Sequence, residues 1–225
     1  MMRNLLIVLL MATFTTACQA EQHNENTKNN DHMQQQDIQT AVLRGDSAAL
    51  KSALSKGADV NTRDENGRTL LLIATNNQQL EIAKILVAHG ADVNLQSNNL
   101  DSPFLYAGAS GQLELVKLYL EHGARFDIFN RYNGTALIPA CERGHVETVR
   151  LLAHTKDFPI DHVNRLGWTA LMEAVILGDG TEKFQQIVQI LKDAGAKLDI
   201  PDHDNRTPLQ HAEAKGYQKI VQLLK

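Results

Sequence analysis

A set of short sequence signals recurs along this chain about every 33 residues, and this periodicity restricts the possible folds more than any other feature. In each repeat an Ala lies five residues after a Thr or Ser, and an Asn or Asp lies eight residues before it. The hydroxyl residues are separated by 33, 33, 34 and 38 residues, and they are Thr69, Ser102, Thr135, Thr169 and Thr207. Such a period is typical of repeat architectures, in which each unit buries its apolar face against its neighbours.

Each repeat predicts two short helices joined by a tight turn. Between Thr69 and Gly90 the apolar residues recur at helical spacing and are interrupted by the polar residues 76–78. The hydroxyl residue is placed to cap the first helix, since its oxygen can accept a hydrogen bond from a free backbone N–H. A Gly nine residues after the hydroxyl residue predicts the turn between the helices, with Gln78 as the one exception. The Gly of each Gly-Ala pair predicts the left-handed residue that ends the second helix.

The repeat resembles that of the ankyrin family. The resemblance rests on Gly67–Leu71, on Arg206–Ala212 and on the Gly-Ala-Asp-Val-Asn runs at 57–61 and 90–94, and it covers about residues 37–225. It implies an all-α ankyrin-repeat solenoid of about six helix-turn-helix repeats with short β-hairpin tips. The small Ala of each repeat is then expected to let adjacent helices approach closely.

Two repeats depart from the pattern. In the fourth, Lys156–Asp161 replaces the Gly-Ala-Asp-Val-Asn run without a Gly, which predicts another form of turn. In the fifth, about five extra residues follow Gly178, within 179–184. They predict a longer loop or a longer second helix, and inserted loops often carry partner contacts.

The N-terminus, residues 1–17, has the pattern of a secretory signal peptide. Arg3 precedes an apolar run from Leu5 to about Phe14, and this run is too short to span a membrane, which takes about 20 residues. The residues just before Cys18 resemble a bacterial lipobox, although Thr15 stands where Leu is usual. The resemblance implies an exported lipoprotein with a lipid on Cys18.

Two destinations are open for the exported chain. Gln19 is not the Asp that typically retains lipoproteins in the inner membrane, so the resemblance implies a periplasmic protein anchored to the outer membrane. Cleavage after Ala20 would instead give a soluble periplasmic protein. Residues 18–36 are polar and predict a flexible tether that precedes the repeat domain at 37–225.

Composition and motifs argue against several classes of function. A net charge of −4, from 22 Lys and Arg against 26 Asp and Glu, does not supply the basic face that nucleic-acid binding needs. The histidines have no metal-ligand spacing, and no catalytic motif or paired carboxylate is present. Cys141 occupies a core position, which predicts a packed thiol. We therefore expect a monomer with no enzymatic activity, no metal and no cofactor.

The resemblance also implies where a protein partner binds. Ankyrin partners contact the loop tips and the exposed side of the first helices, which here carry Arg68, Asn99, Asp101, Arg131, Tyr132, Arg143, Arg165, Leu166, Trp168, Asp204 and Arg206. Arg131 and Tyr132 lie on one tip and Arg165 and Trp168 on the next. Arg and large aromatic residues dominate interface hot spots.

Two roles remain open for the exported protein. Similar bacterial ankyrin lipoproteins resemble immunity proteins, which bind and inhibit or sequester an antibacterial toxin. Others accompany a periplasmic enzyme such as catalase and support resistance to oxidative stress. The same scaffold serves both roles, so the sequence predicts protein binding but does not rank the two roles well.

Overall fold

A computed structural model describes residues 34–225, which form two compact units. One unit ends at Asp59 and the other spans Val60–Lys225. The signal peptide, Cys18 and most of the predicted tether lie outside the described residues. Among residues 34–225, no helix is long and apolar enough to cross a membrane.

The first unit contains the helix pair α1 (residues 34–44) and α2 (Ser47–Ser55). Asp46 caps α2, because its Oδ1 accepts two backbone N–H groups at 2.9 and 3.1 Å. Ile38, Val42 and Leu50 are fully buried. Residues 34–36, which the sequence assigned to the tether, are helical, since Gln is a good helix former and these residues continue the helix that buries Ile38.

The second unit is a row of five helix pairs in two layers. Each first helix packs on the first helix of the next pair, and each second helix packs on the next second helix. The first helices are α3 (Leu70–Asn76), α5 (Pro103–Ala109), α7 (Leu137–Glu142), α9 (Ala170–Ile176) and α11 (Pro208–Ala214). The second helices are α4 (Leu80–Ala88), α6 (Leu113–Glu121), α8 (Val146–Ala153), α10 (Glu182–Asp193) and α12 (Gln218–Leu224).

The predicted small residues lie where the first helices meet. The alanines five residues after each hydroxyl are all completely buried, and they are Ala74, Ala107, Ala140, Ala174 and Ala212. Cys141, beside one of them, is also fully buried, so the prediction of a packed thiol is confirmed. Burial raises the pKa of the Cys141 thiol well above its usual value, which keeps it protonated and unreactive.

Helix capping follows the prediction at four of the five repeats. The hydroxyls of Thr69, Ser102, Thr169 and Thr207 each accept the backbone N–H three residues later. The prediction is wrong for Thr135, whose buried Oγ1 has no hydrogen-bond partner. Pro139 lies four residues after Thr135 and lacks the N–H that bonds to the capping residue's carbonyl in the other repeats.

The insertion in the fifth repeat lengthens both the loop and the second helix. Helix α10 has 12 residues, compared with eight in α8. The expectation that Gly178 forms the turn is wrong, because the left-handed residue is Gly180, with φ of 74°. Asp179 holds the displaced turn by accepting hydrogen bonds from the N–H and the hydroxyl of Thr181 at 3.0 and 2.6 Å.

The fourth repeat ends differently from the others because it has no Gly after α8. Asp157 takes the left-handed conformation there, with φ of 60°. Phe158 then turns inward, is 8% exposed and packs on Phe126 at a ring distance of 4.9 Å. A left-handed residue therefore still follows α8, although it is not a glycine, and the residue after it makes an aromatic contact.

Candidate functional site

Five tight turns, named here tips 1 to 5, each precede the first helix of one helix pair of the second unit. They span residues 64–68, 97–101, 130–134, 164–168 and 202–206. In every tip the N–H of the first residue donates to the carbonyl of the fifth at 2.9–3.0 Å, and the N–H of the fourth donates to the carbonyl of the first. Within residues 34–225 the one β-bridge, isolated and antiparallel, joins Arg63 and Thr69, so the tips are turns with little strand character.

The first residue of each tip organises the turn through its side chain. In tips 1, 3, 4 and 5 one side-chain oxygen accepts the N–H groups of the third and fifth residues, and these first residues are Asp64, Asn130, Asn164 and Asp202. In tip 2 the hydroxyl of Ser97 bonds to Asn99, whose Oδ1 accepts the N–H of Asp101 instead. These first residues were not predicted from the sequence, although they recur with the same spacing as the capping residues.

The fourth residue of each tip has a left-handed backbone. Gly or Asn occupies this position in four tips, and both tolerate a positive φ. Leu100 occupies it in tip 2, with φ of 64°, and its side chain is 44% exposed. A leucine in this conformation is strained by about 1–2 kcal/mol. An exposed apolar side chain held in a strained turn is a feature of functional surfaces.

Neighbouring tips are bonded to one another. The N–H of Asn98 donates to the carbonyl of Asn66 at 3.0 Å, and the N–H of Arg165 donates to the carbonyl of Tyr132 at 2.8 Å. Tips 2 and 3 are linked by the ion pair between Arg131 and Asp101, at 3.9 Å. Because the loops are cross-linked in this way, a partner would have little loop entropy to remove on binding.

The structure leaves all the predicted contact residues accessible. Eight are exposed, namely Asn99, Arg131, Tyr132, Arg143, Arg165, Leu166, Asp204 and Arg206, and three are half-buried, namely Arg68, Asp101 and Trp168. Two of these residues also bond to other residues of the second unit. Arg68 Nε lies 2.7 Å from Asp64, and Arg143 donates to the carbonyl of Ala109 at 2.7 Å.

Tips 1 and 2 border an open cavity together with α3 and α5. Its volume is about 330 Å³, and its lining includes Arg68, Asn99, Asp101 and Tyr106. Burial raises the pKa of Asp101, and the nearby Arg131 guanidinium partly offsets this effect. The cavity is large enough for a side chain of a bound protein and combines both signs of charge.

Tips 3 and 4 carry a different kind of surface. Tyr132 is 50% exposed and Leu166 is 48% exposed. The guanidinium of Arg131 lies over the Tyr132 ring, 5.0 Å from its centroid. Trp168 and Arg165 lie beside Leu166 on tip 4. Exposed apolar groups next to arginines are typical of protein-binding surfaces.

One buried carboxyl group lies behind tip 4. Glu173 on α9 is 5% exposed, and its Oε1 accepts a hydrogen bond from Asn164 at 2.9 Å. Burial and the charge of Glu142 raise its pKa from 4.5 to about 7, although the Asn164 bond opposes the shift. In the next repeat the equivalent link joins His211 Nε2 and Asp202 Oδ2 at 2.6 Å.

Most histidines of the described residues have structural contacts. The rings of His89, His122 and His154 each bond to a carbonyl four residues earlier, near a helix end. His162 bonds to the carbonyl of Asn133 at 2.6 Å and stacks on Phe129. Within residues 34–225, no group of three or more His, Cys, Asp or Glu residues could hold a metal ion.

Comparisons with known proteins agree with this architecture. The family model described as ankyrin repeats (3 copies) matches residues 38–130 and 104–201. The ankyrin repeat protein YahD of Escherichia coli strain K12 is 38% identical over 189 residues, which is 84% of this chain and 94% of that protein. The chain is similar to the crystal structure of an ankyrin repeat domain from Acinetobacter baumannii AYE, with 49% identity, a TM-score of 0.81, and 83% and 95% of the two chains covered. A second crystal structure of an ankyrin repeat protein is 41% identical, with a TM-score of 0.81 and coverage of 84% and 96%.

Proposed function

This chain belongs to the ankyrin repeat family, and we propose that it is a non-enzymatic binding protein of the bacterial periplasm that inhibits or sequesters a partner protein. Ankyrin repeats are protein–protein interaction modules. The prediction of an all-α ankyrin-repeat solenoid is confirmed. The proposed partner is an antibacterial toxin, against which the protein acts as an immunity protein.

The observation that carries the proposal is the surface of tips 3 and 4. Arg131, Tyr132, Arg165 and Leu166 are exposed on two turns that are hydrogen-bonded to each other. Large side chains held on a rigid backbone give contact area at low entropic cost. A protein partner uses such a surface better than a small molecule does, because the residues project outward and do not enclose a volume.

The buried reactive groups support binding in preference to catalysis. Cys141 is inaccessible, and its raised pKa keeps the thiol protonated. Glu173, the carboxyl group with a pKa near neutrality, is 5% exposed and is hydrogen-bonded to Asn164, whose side chain organises the turn of tip 4. Neither group is placed to meet a substrate. An inhibitor needs only to occupy its partner's surface, for which exposed tips suffice.

Replacement of Arg131, Tyr132, Arg165 and Trp168 together by Ala is expected to weaken partner binding at least tenfold, about 1.4 kcal/mol. The partner is first isolated by affinity capture with the full chain, and its dissociation constant is then measured by calorimetry. The matched control replaces Lys84, Lys117 and Arg150, which are exposed on the second helices, by Ala and should bind as the wild type does. Wild-type affinity in the four-residue variant would refute the proposed contact surface.

The periplasmic location is tested through Cys18, which lies outside the described residues. Replacement of Cys18 by Ser should prevent lipid attachment and move the protein from the membrane fraction to the soluble periplasmic fraction. Fractionation of cells that express each form, with immunoblotting, measures this shift. A wild-type protein that is already soluble would contradict lipid anchoring, and a cytoplasmic one would contradict export.

A further inference from the structure

Two of the five tips differ from the others in their balance of charge. Tips 1 and 5 begin with an Asp, and Arg68 of tip 1 is paired with Asp64 at 2.7 Å. Tips 3 and 4 begin with a neutral Asn, which forms the same turn without adding a negative charge. Arg131 and Arg165 therefore add two positive charges that their own tips do not neutralise, in a chain whose net charge is −4.

These positive charges are accessible to a partner. Arg131 is 54% exposed at its side chain, and its nearest carboxylate, Asp101, is 3.9 Å away. An ion pair of this length and exposure is weak. Arg165 is exposed, and its guanidinium has no ion pair among residues 34–225. The charge of Arg143 also opposes the rise that burial causes in the pKa of Asp101, so a second arginine lies near that carboxyl.

Tyr132 contacts both arginines, and Leu166 follows Arg165 on tip 4. Tyr132 and Leu166 occupy the third position of tips 3 and 4 and are about half exposed. The bond from the Arg165 N–H to the Tyr132 carbonyl fixes the two tips side by side. The result is a surface on which Tyr132 joins the two arginines and Leu166 adds a second exposed apolar side chain, which we name the Arg–Tyr–Leu surface (Arg131, Tyr132, Arg165 and Leu166).

We propose that the Arg–Tyr–Leu surface binds an acidic segment of the partner, with a carboxylate on each arginine and an apolar side chain against Tyr132. This inference rests on the proposed function and adds the chemistry of the partner. Packed helices lie about 10 Å apart, and an extended chain rises about 3.3 Å per residue. The two carboxylates are therefore three residues apart in the partner sequence, with the apolar residue between them.

The probe is a synthetic peptide with Glu at positions 2 and 5, Leu at position 3 and Gly elsewhere. Two control peptides, named the Gln twin and the Lys twin, have the same sequence with Gln or Lys in place of both Glu residues. The readout is the fluorescence of the full chain, whose single Trp is Trp168 on tip 4. We expect the Glu peptide to bind at least tenfold more tightly than the Gln twin, and this preference to fall as salt rises from about 50 to 200 mM. Equal binding of the Glu and Gln peptides would overturn the proposal.

Charge reversal separates this inference from the proposed function. R131E/R165E should no longer bind the Glu peptide and should bind the Lys twin, whereas the control K84E/K117E, which makes the same two charge reversals at exposed residues of the second helices, should keep the wild-type preference. If the four-residue alanine variant no longer binds the partner but R131E/R165E keeps the wild-type preference for the Glu peptide, the proposed function is supported and the proposed acidic segment is refuted. Binding of phosphatidylglycerol vesicles through these arginines, without binding of the Glu peptide, would also overturn the proposal.

Discussion

Replacement of Gly108 by Ala is expected to lower the free energy of unfolding by about 2 kcal/mol, although Ala is the better helix former. Gly108 lies inside α5, and an added Cβ would come within 2.6 Å of the Ala136 Cβ and 3.0 Å of the Ala136 carbonyl oxygen. In an exposed helix the same change would add about 1 kcal/mol of stability. Overpacking against a neighbouring repeat typically costs about 1–3 kcal/mol and occasionally more. The steric effect therefore outweighs the gain in helix propensity.

Urea unfolding followed by circular dichroism measures this change. The double variant G108A/A136G removes one of the two clashing Cβ atoms and should recover about half of the lost stability. The recovery is only partial, because the Ala136 carbonyl remains close to the new Cβ. If G108A raises the unfolding midpoint, the close approach of α5 to the start of α7 is not present in solution.

Replacement of Glu173 by Gln is expected to stabilise the protein by up to about 3 kcal/mol at about pH 8, because one pKa unit corresponds to about 1.36 kcal/mol. Glu173 is 5% exposed, and burial together with the charge of Glu142 raises its pKa from 4.5 to about 7. Its Oε2 has no hydrogen-bond partner among the described residues. Gln keeps the oxygen that accepts the Asn164 bond and removes the buried charge.

The sign of the pH dependence follows from the raised pKa. Below about pH 4.5 Glu173 is protonated in both the folded and the unfolded chain, so the contribution of Glu173 to stability is most favourable there. Between pH 4.5 and about 7 the unfolded chain loses its proton first, and this contribution falls as pH rises. Thermal unfolding of E173Q should lack this fall, whereas the exposed control E65Q should retain it. Parallel pH profiles for E173Q and the wild type would contradict the buried charge.

Much of the helix architecture could be predicted from the sequence, whereas the structure of the tips could be predicted only in part. The periodic Thr, Ala and Gly positions led to the helix pairs, to the buried alanines and to four of the five caps. Asp64 and its equivalents, which organise the tips, were missed although they recur with the same spacing. The strain at Leu100 could not be predicted, because the conformation of one residue depends on the whole turn.

The sequence by itself determined the order and number of the helix pairs, since helix propensity, capping and apolar spacing act within one repeat. The tertiary structure decided the features that depend on two repeats at once. It placed the Thr75 hydroxyl 2.7 Å from the buried Tyr119 hydroxyl, and it joined tips 3 and 4 through Arg165 and Tyr132. Local signals cannot encode these contacts, because the distance between residues 44 or 33 positions apart is set only when the repeats stack.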